Sequence, residues 1–274
     1  MLHIVFGLAS GVLVGFSLGL IGGGGSILAV PLMVYLVGVP DAHVAIGTSA
    51  VAVGANAAAN LMPHARRGTV SWRCAGVFAI AGVIGAITGS SLGKWMDGQR
   101  LLALFALLMV VVGATMLKRR SAAGAEAVRL SRENLPKLLL LGLLTGCLSG
   151  FFGIGGGFLI VPGLMLATGM GILNAVGSSL VAVAAFGLTT AANYAVSGLV
   201  DWRLAVTFLA GGVLGGLIGA PLAKRLADKR GALNVIFALV IFVVAGYMLV
   251  RGAGSARLLH WASVELTDYV AIRN

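Results

Sequence analysis

Charge is scarce in this 274-residue chain: Asp, Glu, Lys and Arg together make up 10% of it, and only 8 residues are acidic. Soluble chains carry roughly 25% charged residues, so an ordinary water-soluble domain is excluded. Cysteine is equally sparse. Cys74 and Cys147 both lie in apolar stretches far apart in sequence, which reads as two free thiols packed as small hydrophobes rather than a disulfide or metal pair. The start of the chain has neither a basic leader nor a small-x-small cleavage site before its apolar run continues, so residues 1–20 read as a retained membrane segment. Basic residues outnumber acidic ones, giving a net charge of +11, but they are scattered among breaks between apolar runs. No basic face forms, and nucleic acid is excluded as a partner.

What the chain does have is 59% hydrophobic residues and 42 glycines set among Leu, Val, Ala and Ile. Glycine in that company lets transmembrane helices approach closely. A helical crossing needs about 20 apolar residues, and eight stretches qualify: roughly 4–38, 43–62, 71–93, 100–117, 136–168, 174–197, 203–223 and 232–250. The first and fifth are too long for one crossing. Each is interrupted by glycines, Gly22-Gly23-Gly24-Gly25 and Gly153-Ile154-Gly155-Gly156-Gly157, and reads as a broken helix or re-entrant hairpin.

The chain repeats itself. Residues 22–31 match 153–162, and Gly47-Thr48-Ser49 matches Gly177-Ser178-Ser179. At the same offset of about 130 the pattern Gly-x-Val-x-Trp-Arg recurs at Gly68 and Gly198, and Gly82, Gly85, Gly89 and Lys94 fall on Gly212, Gly215, Gly219 and Lys224. The expected organisation is therefore an all-α polytopic integral membrane protein with an internal duplication of two four-segment halves. The first repeat covers 1–118, a cytoplasmic linker 119–135, the second repeat 136–251 and a C-terminal tail 252–274. The linker face carries the excess of Lys and Arg, as the positive-inside rule requires of a cytoplasmic side. Whether the broken segments cross once or fold back, 13 basic residues fall inside and 6 outside, so charge leaves the repeat orientation open. Inversion is favoured because half-helices meeting in mid-membrane give the glycine loops a use.

Bare backbone is not tolerated in hydrocarbon, so glycine loops at membrane depth must face protein or a watery cavity. A helix that starts just after such a loop presents free N–H groups and partial positive charge, which suits an anion. The candidate substrate contacts are thus Gly22, Gly23, Gly24, Gly25, Ser26, Gly153, Gly155, Gly156 and Gly157 in the loops, with Thr48, Ser49, Ser178 and Ser179 opening the next helices. Asn56, Asn60, Thr190 and Asn193 add amides and a hydroxyl behind them. The loops lack the Lys-Ser/Thr of a P-loop and do not fit G-x-G-x-x-G. The glycine ladders at 7, 11, 15 and 19 and at 142, 146 and 150 read as helix packing, and Trp72 and Trp202 as interface anchors.

All eight carboxylates sit at segment ends, in the linker or in the tail, so none is placed to relay protons in mid-membrane. An inside-negative potential favours anion exit by roughly 2.3 kcal/mol per charge per 100 mV, and export needs no proton partner. His43 and Asp41 are the candidates for a proton-linked gate. No buried His, Asp, Glu or Cys cluster points to catalysis, and neither metal nor cofactor is implied.

At its two loops, Gly22-Gly23-Gly24-Gly25-Ser26-x-x-x-Val30-Pro31 and Gly153-x-Gly155-Gly156-Gly157-x-x-x-Val161-Pro162, the chain resembles the sulfite exporter TauE/SafE family of bacterial inner-membrane transporters. The Gly-Thr-Ser and Gly-Ser-Ser pairs and the two Gly-x-Val-x-Trp-Arg turns resemble it too, and the likeness runs from about residue 5 to 250. The first loop departs from the common Gly-x-Gly-Gly-Gly, with Ser26 in place of the last glycine. The resemblance implies transport, usually outward, of small sulfur-containing anions such as sulfite, sulfoacetate or related organosulfonates. The expected partners are that small anion and the lipid bilayer, with a homo-oligomer left open. Uptake of a sulfur or carboxylate anion, and a role as a non-transport membrane assembly partner, are the alternatives.

Overall fold

A computed structural model describes residues 2–118, 130–225, 235 and 238–251. Most of the expected linker and the whole C-terminal tail lie outside the described residues. Among the described residues ten α-helical elements follow one another: α1 (Leu2–Ile21), α2 (Ala29–Pro31), α3 (Ala42–Arg66), α4 (Trp72–Trp95), α5 (Gly98–Lys118), α6 (Leu135–Phe152), α7 (Gly157–Thr168), α8 (Ile172–Val196), α9 (Trp202–Arg225) and α10 (Ala238–Arg251). A 3₁₀ helix over Gly22–Leu28 joins α1 to α2, and a π-helix over Leu32–Val37 follows. Six of these helices are long and apolar enough to cross a membrane, and the protein is an all-helical, multi-pass membrane protein.

Why these helices face lipid is legible along α4. Phe78, Gly82, Gly85 and Gly89 are buried, whereas Ile80, Ile84 and Ile87 point outward and are 49–69% exposed. Small residues face neighbours and branched aliphatics face hydrocarbon, which is how helices associate where no hydrophobic drive separates inside from outside. Helix starts are fixed by carboxylates. Asp41 accepts the His43 amide at 2.7 Å, Asp97 those of Gln99 and Arg100 at 3.0 and 3.1 Å, and Asp201 that of Leu204 at 3.0 Å. These side chains satisfy orphan N–H groups of the first turn and complement the helix dipole.

The glycine ladders set the helix directions. A Cβ at Gly7 would meet Leu204, one at Gly11 would meet Phe208, and one at Gly15 would meet Gly212. The contacts advance together, so α1 and α9 lie parallel, backbone against backbone. The second ladder does the same: Gly142 lies against Phe78, Gly146 against Gly82 and Gly150 against Ala86, making α6 parallel to α4. By contrast α3 and α8 are antiparallel, because Gly47 lies against Tyr194 while Gly54 lies against Gly187 and Leu188. Corresponding helices of the two halves therefore run in opposite directions, the relation expected of inverted repeats.

The broken segments must fold back. Thr48 lies beside Asp201 and Asn56 beside Gly212, so α3 is parallel to α9 and hence to α1, and the chain between α1 and α3 has to return across the membrane. Gly38, at the end of that return, lies against His3 at the start of α1. In the second half Leu166, Thr168 and Gly169 at the end of α7 share a surface depression with Asn134 and Lys137 at the start of α6. Both segments thus re-emerge on the face they left. At about 1.5 Å per residue α7 is only about 18 Å long, so the turn before it lies inside a hydrocarbon layer about 30 Å thick.

Candidate functional site

The second glycine turn is an open, non-helical break. α6 ends in a Schellman motif: Gly153 has φ +67°, its amide donates to the Gly150 carbonyl at 3.3 Å, and the Ile154 amide donates to the Ser149 carbonyl at 3.3 Å. Gly155 and Gly156 also have positive φ, +64° and +65°, a region nearly closed to residues with a Cβ. Space is short as well. A Cβ at Gly155 would stand 2.8 Å from Val53 Cγ1 and 3.3 Å from Val183 Cγ1. Those valines sit midway along α3 and α8, so the turn lies at mid-depth.

From this turn α7 starts. Leu159 and Ile160 both donate to the Gly156 carbonyl, at 2.8 and 3.0 Å. The amides of Gly157 and Phe158, first in the helix, have no backbone acceptor among the described residues, as the first turn of a helix requires. Beside them stands Ser149, fully buried, its Oγ without a hydrogen-bond partner. A Cβ at Gly156 would come 2.9 Å from that Oγ. An unmatched hydroxyl thus lies against the turn that opens α7, whose first amides are unpaired as at any helix N-terminus, and such a start favours a small anion.

The first glycine run behaves differently. Residues 22–28 form a 3₁₀ helix instead of an open loop, which engages amides from Gly25 onward in i→i+3 bonds. Gly25 lacks the positive φ of Gly156, which it matches in sequence. Ser26 is fully buried within this stretch. The two glycine runs read in the sequence as substrate contacts, 22–26 and 153–157, thus differ in conformation: the second is an open turn and the first is wound into a 3₁₀ helix. The two still meet, since the 3₁₀ helix packs on α7 and α8.

The hydroxyl pairs do other work. Thr48 Oγ1 accepts the Asp201 amide at 3.0 Å, and Ser178 Oγ accepts the Ser71 amide at 2.9 Å. Each thereby holds the Gly-x-Val-x-Trp-Arg turn of the opposite half, and the adjacent glycines, Gly47 and Gly177, leave room for Leu199 and Thr69 of those turns. Ser49 and Ser179 donate to carbonyls of their own helices, Ile46 at 3.0 Å and Val176 at 2.8 Å. Of the four hydroxyls read in the sequence as ligand donors, Thr48 and Ser178 accept hydrogen bonds across the joint between halves, and Ser49 and Ser179 donate within their own helices.

Among the amides, Asn193 is also structural. Its Nδ2 donates to Ser90 Oγ at 2.5 Å and Ser91 Oγ at 3.0 Å, while Lys94 Nζ donates to Asn193 Oδ1 at 2.8 Å, Asn193 O at 3.1 Å and Ser197 Oγ at 2.8 Å. This network ties the end of α4 to the end of α8. Asn60 donates to the Asn56 carbonyl at 2.9 Å. Asn56 and Thr190 are fully buried with side-chain atoms that have no partner. Ser149 and Lys94 were missed in the sequence: a serine between ladder glycines looks like any back-bonded helix hydroxyl, and a lysine near a helix end looks like a snorkelling one.

Cys74 and Cys147 are free thiols, and no group of three metal-ligating residues occurs among the described residues. Trp72 and Trp202 are more than half exposed at the starts of α4 and α9, where interface anchors belong. The His43 amide is capped by Asp41, its Nε2 lies 3.1 Å from the Met96 carbonyl, and its Nδ1 is buried without a partner.

Comparison with known proteins places residues 7–248 under the family described as sulfite exporter TauE/SafE. A probable membrane transporter protein of Xylella fastidiosa (strain 9a5c) is 53% identical over 253 residues, 92% of this chain and 97% of that protein. The probable membrane transporter protein YdhB of Bacillus subtilis (strain 168) is 26% identical over 214 residues, covering 76% and 85% of the two chains. A probable membrane transporter protein of Haemophilus influenzae is 28% identical over 267 residues, covering 90% and 98%. No solved structure matches.

Proposed function

From the premise that the chain belongs to the sulfite exporter TauE/SafE family of membrane transporters, we propose that it exports a small sulfur-containing oxyanion, sulfite, sulfoacetate or a related organosulfonate. The substrate binds at the turn before α7, with the amides of Gly157 and Phe158 and the Ser149 hydroxyl donating to its oxygens. The single observation that carries this reading is the unmatched, fully buried Ser149 Oγ beside the non-helical Gly153–Gly156 turn at mid-depth. Donors fixed in a dry site bind an anion without reorganising, and a family that moves sulfur oxyanions supplies the ligand class.

Transport then requires that the two inverted halves rock or gate about this turn, opening it to one side at a time. Outward movement is supported by charge. The described carboxylates Asp41, Asp97, Glu133 and Asp201 all lie at helix starts or in connections, which leaves the membrane potential as the driving force for an anion.

The test is anion-induced thermal stabilisation of the purified protein, paired with counterflow in proteoliposomes. Sulfite and sulfoacetate raise the melting temperature of wild type, and Gly155→Val loses both that shift and counterflow. Wild type that shows no shift, while Gly155→Val transports as well as wild type, overturns the site. Uptake is the second reading, favoured by the unpartnered Nδ1 of His43. Counterflow faster with an inside-positive than an inside-negative potential, and abolished in His43→Gln, would establish it.

A further inference from the structure

The offset of 130 that superimposes the halves places Asn56 on Phe186, and the two positions have been filled with opposite chemistry. Phe186 is fully buried, covers the backbone of Gly82, where a Cβ would run into its ring, and stacks on Phe78 with ring centroids 6.3 Å apart and an interplanar angle of 23°. In the other half Gly212 stands for Gly82 and Phe208 for Phe78. There it is the carboxamide of Asn56 that lies against the bare glycine. Asn56 is 0% exposed, and neither Nδ2 nor Oδ1 has a hydrogen-bond partner.

Packing does not demand an amide at this place, since the same fold fills the corresponding position with a phenyl ring. Burial opposes it, because an unmatched carboxamide in a membrane interior has no water to fall back on. The location is informative. Asn56 is one turn along α3 from Val53, which touches Gly155, while Phe186 is one turn along α8 from Val183, which touches the same glycine. Residues three apart on a helix share a face, so Asn56 stands next along the face of α3 that Val53 presents to Gly155, and Phe186 next along the corresponding face of α8. Ser149 repeats the asymmetry, because at the offset of 131 that aligns 22–31 with 153–162 Leu18 occupies its place in the first half.

We infer that Asn56 makes the transport site lopsided and single: its Nδ2 donates to an oxygen of the bound anion on the α3 side, while Phe186 keeps the α8 side dry. This rests on the reading that the turn before α7 binds an anion. An oxyanion with one sulfur-centred head then has three oxygens facing donors and one flank against a ring, and a site built this way distinguishes an organosulfonate's tail from its head.

Asn56→Phe tests it, because the substitution copies the residue that the pseudo-equivalent position already accommodates against a glycine. Full-length protein is titrated with sodium sulfite and sodium sulfoacetate, and with sodium chloride at matched ionic strength, following melting temperature. The expected result is an unliganded Asn56→Phe protein that melts at or above wild type, with sulfite affinity at least tenfold weaker. Asn56→Leu, closer in size to Asn, gives the same pair of results, and Phe186→Leu keeps the sulfite response. Wild-type affinity in both Asn56 variants overturns the inference, as does failure of both to fold, which would make the amide structural. An equal loss of response to all three sodium salts also overturns it, assigning Oδ1 to the cation they share. Wild type without any anion shift overturns the underlying site reading as well, whereas a wild-type shift preserved in the variants overturns this inference alone.

Discussion

Thr48 and Asp201, 153 positions apart in sequence, are joined by a hydrogen bond in which the Asp201 amide donates to the Thr48 hydroxyl oxygen at 3.0 Å. Ser71 and Ser178 repeat the bond at 2.9 Å, and because α3 and α8 are antiparallel the two clasps lie at opposite ends of that pair. Replacing Thr48 by Val removes the acceptor and strands the amide, costing about 1–2 kcal/mol. Ser178→Ala costs a similar amount, and the double variant shows the sum, as distant sites do. Denaturation in mild detergent measures this, and counterflow per folded molecule stays at the wild-type level. A collapse of counterflow at unchanged stability would return these hydroxyls to the substrate.

Glycines on one helix face opposite fates. On α4 a Cβ at Gly76 meets nothing within 4 Å, whereas one at Gly85 would come 2.7 Å from the Cys147 amide nitrogen and collide with the Leu143 carbonyl. Gly76→Ala therefore stabilises by up to about 1 kcal/mol through helix propensity. Gly85→Ala forces α4 and α6 apart and destabilises by about 1–3 kcal/mol. Melting temperatures shifting in opposite directions check both.

Lys94 holds Asn193 and Ser197 with all three ammonium hydrogens. Lys94→Met loses about 1 kcal/mol at this half-buried site, and Asn193→Ala a comparable amount. Because both residues belong to one network, the double variant loses less than the sum. Additive losses in a double-mutant cycle would show that the two residues act separately. The anion-induced shift of either single variant equals that of wild type.

Ser149→Ala deletes a buried hydroxyl that has no protein partner, so the unliganded protein melts at or slightly above wild type. Its sulfite affinity falls about tenfold, the loss of one hydrogen bond to a charged group. Isothermal titration separates the two effects. Unchanged sulfite affinity would remove Ser149 from the site.

Much of this architecture can be read from residues alone. The ladders at 7, 11 and 15 and at 142, 146 and 150 announce close helix contacts, because only glycine at a four-residue spacing lets backbones touch. The break at 153–157 is equally plain, since three of its glycines take positive φ that other residues avoid. Other features are invisible in one dimension. Gly47-Thr48-Ser49 and Gly68-x-Val70-x-Trp72-Arg73 recur together in each half and look like separate devices, a ligand pair and an interface anchor. Only the inverted packing shows that the first motif of one half grips the second motif of the other. The winding of 22–28 into a 3₁₀ helix was also hidden, because four consecutive glycines permit many conformations and dictate none.

The parallel contact of α1 with α9 sets a timetable for biosynthesis. Gly15 enters the membrane 197 residues before Gly212, the residue it packs against. At roughly 5–20 residues per second of synthesis, α1 waits about 10–40 s in lipid with its glycine face unpaired. α1 is thus completed only when α9 arrives, and a chain interrupted before α9 leaves the glycine stripe of α1 bare in lipid.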